Sequence, residues 1–150
     1  MPQRTILFAT DFSTASDAAL HHAEALARQA RARLLIVHVE EPPLAYGGGE
    51  LYYGIPEPDS SRIRTMLEAV KPASDVPFMH RMGLGDPANE IVRIAADEGA
   101  ELIVIGTHGR TGMLRFLMGS VAEAVVRRAP CPVMVYRTPA AHAAPAATHA

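Results

Sequence analysis

The chain has 150 residues, of which 49% are apolar and 20% charged, and 14 Lys+Arg face 16 Asp+Glu for a formal net charge of −2. A chain of this length buries roughly 70% of its unfolded surface in one domain. The balance excludes a disordered acidic tail, a disulfide scaffold and a basic nucleic-acid clamp. Cys131, between Pro130 and Pro132, makes no intramolecular bridge and reads as a small buried residue at a strand entrance. The first apolar run is cut by Asp11, too early for a signal-peptide core. No run approaches the ~18 apolar residues of a membrane span. The expectation is a soluble cytoplasmic protein with neither membrane nor nucleic acid as partner.

Five short runs rich in Ile, Val and Leu read as strands: residues 5–10 (TILFAT), 34–40 (LLIVHVE), 76–82 (VPFMHRM), 102–107 (LIVIGT) and 132–137 (PVMVYR). The first, second and fourth are almost continuously apolar, as strands covered on both faces of a parallel sheet are. Segments of helical period lie between them. Residues 13–31 place Ala18, His22, Ala25, Leu26 and Gln29 along one side, and residues 60–71 place Ile63, Met66, Leu67 and Val70. Residues 87–98 carry Ile91, Ile94 and Ala95, and residues 120–128 carry Val121, Ala124 and Val125. Asp86 before Pro87 is an N-cap followed by a helix-starting proline, and Gly99 falls where a left-handed C-terminal residue belongs. Ser120 with Glu123 has capping-box spacing. The strand–helix alternation predicts an α/β domain with a doubly wound five-stranded parallel sheet and right-handed crossovers, helices on both faces.

Two segments break the rhythm. Residues 41–59 hold four prolines, four glycines and three of the four tyrosines, so they read as a long connection, either a lid over a ligand or a loose surface insertion. Residues 138–150 are an Ala/Pro-rich tail expected to lack order, which leaves residues 1–137 as the domain.

In an open parallel sheet, ligands bind at the carboxyl ends of strands where the strand order reverses. The densest group of small polar residues follows the fourth strand: Gly106, Thr107, His108, Gly109, Arg110, Thr111 and Gly112, then Gly119 and Ser120 opening the last helix. Glycines let an anion approach backbone N–H groups, and a helix N-terminus favours a phosphate. The same glycines could instead serve tight turns and helix–sheet packing, and the residues alone leave both readings open. No Gly-Lys-[Ser/Thr] loop and no GxGxxG occur.

The spacing Gly106-x2-Gly109-x9-Gly119-Ser120 resembles the signature of the nucleotide-binding branch of the universal stress protein family. The resemblance extends to ILFATDFS, LLIVHVEE, the block from Gly85 to Gly112, and GSVAEAVVRRAPCPVMVYR, and so covers all but the 41–59 connection and the tail. It implies strand order 3-2-1-4-5, a homodimer paired through the last strand (Pro132 to Arg137), and ATP between strands one and four. Carried over residue by residue, Thr10 and Asp11 would meet the ribose and adenine side, with Asp11 accepting from ribose hydroxyls, and Val39 would hold the adenine through its backbone. Gly106, His108, Gly109, Arg110, Gly119, Ser120 and Val121 would surround the ribose and phosphates, with Ala9 and Ile105 beside them. Ala9 stands where family members often carry proline. A Mg²⁺ ion on the phosphates is compatible with this reading, although no carboxylate is committed to it.

Three function classes are compatible with the sequence: a nucleotide-binding regulator of stress response, a nucleotide-free dimer acting through protein contacts, and a slow ATPase. Hydrolysis would need a base near the γ-phosphate, for which His108 and Asp11 are the candidates. No catalytic residue is assigned, and no Gly-x-Ser-x-Gly elbow occurs. Metal binding has little support, because His21 and His22 point to different helix faces, while His38 and His80 read as satisfied or surface histidines.

Overall fold

The computed structural model describes residues 2–42, 60–107 and 119–137. Its elements, in chain order, are β1 (Thr5–Ala9), α1 (Thr14–Ala30), β2 (Arg33–Glu40), α2 (Ser60–Glu68), β3 (Phe78–Leu84), α3 (Pro87–Asp97), β4 (Leu102–Gly106), α4 (Ser120–Arg128) and β5 (Val133–Tyr136). The strands form one all-parallel sheet in the order β3-β2-β1-β4-β5, with Ala9 beside both Val37 of β2 and Ile105 of β4. Central β1 is buried at all five positions, which is why its sequence shows no apolar–polar alternation.

The sheet separates two apolar layers. Ile6, Phe8, Leu34, Ile36 and Val104 face α1 and α2, packing with Ala19, Ala23, Ala27 and Leu67. Leu7, Ala9, Leu35, Val37, Val39, Ile103 and Ile105 face α3 and α4, packing with Ile91, Ile94, Ala122 and Val125. The chain therefore leaves β1 and β4 toward opposite faces, and the crevice between their carboxyl ends is where the topology switches.

The buried face of α1 departs from the expected stripe. Ala15, Ser16, Ala19, Ala23, Glu24 and Ala27 are inward, whereas His22, Ala25 and Gln29 are exposed and Ala18 and Leu26 only half-buried. The i, i+4 alanine ridge wins because it lets the helix approach the sheet closely, which the bulkier residues would prevent. In α2 only Leu67 is buried, and Met66 is exposed.

Strand three begins and ends two residues later than expected, because Pro77 accepts from Leu34 N–H at 2.8 Å and the ladder runs on to Leu84. Thr10, Thr107, Pro132 and Arg137 lie outside their strands, and the second strand starts at Arg33.

Asp86 caps α3 through a 3.0 Å bond from Asn89 N–H, with Pro87 at its start, and Gly99 has φ +61. The capping box at Ser120 does not form. Gly119 is the N-cap of α4 with no side-chain cap, Ser120 is already helical, and Glu123 pairs instead with Arg127 at 2.8 Å. One residue of offset moves the hydroxyl past the position from which it could reach the free N–H groups. Cys131 is half-buried, and desolvation pushes its thiol pKa up, which suits a packing role.

Ala23 is fully buried between α1 and the sheet. Ala23→Leu should therefore destabilise the domain by about 1–3 kcal/mol through overpacking. Chemical denaturation measures this, and a variant as stable as the wild type would show that α1 sits off the sheet.

Candidate functional site

The carboxyl end of β1 is built from short-range polar bonds. Thr10 N–H donates to Val37 O at 2.9 Å, the final backbone bond from β1 to β2, and the chain then turns. Phe12 N–H comes back to Thr10 Oγ1 at 3.0 Å, with Phe12 in the left-handed region at φ 66. Asp11 Oδ1 accepts from Ser13 N–H at 3.0 Å and from Ser16 Oγ at 2.6 Å, while Asp11 N–H donates to Ser16 Oγ at 3.1 Å. Ser13, the N-cap of α1, accepts from Ser16 N–H at 3.2 Å. The carboxylate is thus locked to the first turn of α1.

Burial of Asp11 opposes its charge, but hydrogen bonds from the Ser13 and Ser16 side chains and from backbone N–H groups outweigh it, so its pKa lies below the usual carboxylate value. The group is ionised at neutral pH. Ser16, 4% exposed, was not singled out from the sequence, although Asp11-x-Ser13-x-x-Ser16 is the local signal that could have found it.

Gly106 ends β4 on the other side of the crevice. A Cβ there would lie 3.2 Å from Ala15 O, so this glycine permits the approach of α1 to β4. For Gly106 the packing reading is the one with a direct contact behind it. Ala9 and Ile105, paired across β1 and β4, have buried side chains in the α3/α4 layer and form the floor beneath the crevice. Val121, half-buried, packs on that same layer from the first turn of α4.

Val39 lies one strand over. Residues 33 and 37 of β2 bond toward β1, while 34 and 40 bond toward β3, so alternation turns the Val39 N–H and C=O toward β1, past its last rung. The structure therefore gathers Ala9, Thr10, Asp11, Val39, Ile105, Gly106, Gly119, Ser120 and Val121 at the carboxyl end of the sheet. His108, Gly109 and Arg110 lie outside the described residues, as do most of the 41–59 connection and the tail from residue 138.

Both strand histidines are hydrogen-bonded, His38 Nδ1 to Thr10 O at 2.8 Å and His80 Nε2 to Val70 O at 2.7 Å. Among the described residues no group of three His, Cys, Asp or Glu could hold a metal, and no helix is long and apolar enough to cross a membrane.

The sequence profile of the universal stress protein family matches residues 3–137. The chain belongs to the universal stress protein family. Universal stress protein MJ0531 of Methanocaldococcus jannaschii is 35% identical over 141 residues, covering 91% of this chain and 83% of its own. The solved structure of MJ0577 from the same organism superposes with a TM-score of 0.74 at 27% identity, over 94% of this chain and 100% of that one. A universal stress protein of Archaeoglobus fulgidus, solved in complex with dAMP, shares the fold at a TM-score of 0.65 and 23% identity, covering 91% of this chain and 99% of its own.

The lowered Asp11 pKa has a sign that can be tested. Because the folded value is below the unfolded one, the charge contributes stability that is complete above the ordinary aspartate range and lost as pH falls through the lowered value. Wild type should exceed Asp11→Asn in unfolding free energy at pH 7, with the gap narrowing as pH drops below about 4. Urea titrations across that range measure it, and a gap that stays constant or widens in acid contradicts the assignment.

Proposed function

We propose that this universal stress protein binds ATP in the crevice between the carboxyl ends of β1 and β4, and that occupancy acts as a signal in stress response rather than as a step of catalysis. The observation that carries the reading is Asp11: an aspartate held ionised by Ser13 and Ser16 at the topological switch point is an acceptor suited to ribose hydroxyls. Val39 offers a backbone donor and acceptor to the base. The first turn of α4 begins at Gly119 without a side-chain cap, so its N–H groups and positive dipole end suit phosphate oxygens. The family spacing from Gly106 through His108, Gly109 and Arg110 to Gly119-Ser120 supplies the rest of the cradle. The dAMP complex of the Archaeoglobus relative shows that this fold accommodates an adenine nucleotide in that protein. A Mg²⁺ ion would travel with the triphosphate, which provides the oxygen ligands and leaves its waters in place.

At a hundred times its Kd, ATP should stabilise the protein by about 2.7 kcal/mol, which raises Tm by roughly 5–10 °C for a domain of this size. Gly109→Val should remove most of that shift by placing a branched side chain in the loop. A melting curve that stays flat across millimolar Mg-ATP would falsify the proposal.

We further infer a homodimer paired through β5. This strand is an edge of the sheet, and Pro132 O and Tyr136 O bond toward β4, so alternation turns the backbone groups of Val133 and Val135 outward. Met134, between them on the strand, is exposed. Light scattering should give a dimer mass for wild type and a monomer mass for Val135→Pro, which deletes an outward N–H while leaving the β4 ladder whole. A monomeric wild type at working concentrations contradicts the inference.

A further inference from the structure

We propose that His38 is a positioning residue that keeps the Val39 backbone open for an adenine base, by occupying the carbonyl that the next rung of the β1–β2 ladder would otherwise use. The inference rests on the adenine-nucleotide reading above but begins from the strand register. Thr10 N–H donates to Val37 O at 2.9 Å, so in a regular parallel ladder the following bond would run from Val39 N–H to Thr10 O. That position is taken by His38 Nδ1, 2.8 Å from Thr10 O. A carbonyl only accepts, so Nδ1 carries the proton and the imidazole is the donor.

Two contacts hold the arrangement. The Phe12 ring lies 4.3 Å from the His38 ring with a 35° tilt, and Phe12 reaches this place by adopting φ 66, which a phenylalanine rarely does. Phe12 N–H meanwhile caps Thr10 Oγ1 at 3.0 Å, which turns the chain away from β2 at once. His38 belongs to the α1/α2 face of the sheet through the alternation of β2, whereas the Val39 side chain is buried in the opposite layer. The histidine therefore acts from behind the crevice, without entering it. Its effect is to leave a backbone N–H and C=O, both on Val39, directed past the end of β1. An N–H next to a C=O matches the acceptor N1 and donor N6 of adenine, and guanine presents the reverse polarity at the same edge. His38 would thus set base specificity by denying Val39 a strand partner, a role different from the satisfied strand histidine its sequence position suggests.

The test uses the full chain with His38→Val and His38→Asn. Asparagine keeps an N–H donor attached at Cγ, where Nδ1 sits, and valine keeps β propensity without a donor. Amide hydrogen exchange without nucleotide reads the backbone directly, and calorimetry compares ATP with inorganic tripolyphosphate. In His38→Val the Val39 N–H should pair with Thr10 O and exchange at least ~10-fold more slowly than in wild type. ATP affinity should fall about tenfold, the worth of one hydrogen bond, with tripolyphosphate affinity unchanged. His38→Asn should restore both toward wild type. Val39 exchange unchanged in His38→Val overturns the proposal, and so does an equal loss of ATP and tripolyphosphate binding, since that marks a general distortion of the cleft. Wild type that fails to bind ATP overturns the nucleotide reading instead, and the exchange measurement still decides the role of His38.

Discussion

The carboxyl end of the sheet depends on where β1 stops hydrogen-bonding to β2. Thr10 makes the last rung, and the next three residues are committed to other partners: Asp11 to Ser16, Phe12 to Thr10 Oγ1, and Ser13 to Asp11 and to the start of α1. Had the ladder continued, β2 would have remained paired to its end, and the crevice between β1 and β4 would have lost the backbone of Val39 from its wall. Each of these bonds is worth only about 1 kcal/mol net. Together they define a single backbone path through a region without regular structure, and that path leaves Asp11 ionised beside the crevice.

The helices are fitted to the same end. Ala15, Ala19, Ala23 and Ala27 form a ridge small enough to bring α1 down onto the sheet, and Gly106 meets the backbone of Ala15 where that approach is tightest. Close packing and site construction are therefore one constraint here, because the first turn of α1 supplies both the Ala15 contact and the Ser16 hydroxyl on Asp11. On the opposite face α4 starts without a side-chain cap, and Glu123 pairs along the helix with Arg127 while Arg128 reaches Asn89 of α3. The larger ionic group lies elsewhere, where Arg33 at the amino end of β2 and Arg81 of β3 share Glu98 just past the end of α3.

Much of the architecture was legible in the residues. Continuous apolar runs announced strands covered on both faces, and Asp86-Pro87 and Gly99 marked α3 by local chemistry that no distant contact had to modify. Strand order was not readable from pattern, and it came through the family resemblance with which the fold agrees. The inward face of α1 differs from the stripe Ala18, His22, Ala25, Leu26 and Gln29 because the close approach of helix to sheet selects the alanine ridge Ala15, Ala19, Ala23 and Ala27. The capping box at Ser120 failed by a single residue, a shift that only the backbone entering the helix decides. Ser16 had a local signal in Asp11-x-Ser13-x-x-Ser16, whereas the bond from His38 to Thr10 O joins residues that become adjacent only when β1 ends at Ala9. Composition was equally silent on nucleotide, since a cradle of backbone N–H groups needs no basic patch.

The central claim is that an adenine nucleotide occupies the β1–β4 crevice in this chain. A crystal structure grown with saturating Mg-ATP tests it most directly. The account predicts density with the base against the Val39 backbone, the ribose hydroxyls at Asp11 and the phosphates at Gly119 and Ser120. An empty crevice under those conditions, or nucleotide bound anywhere else on the molecule, would contradict it.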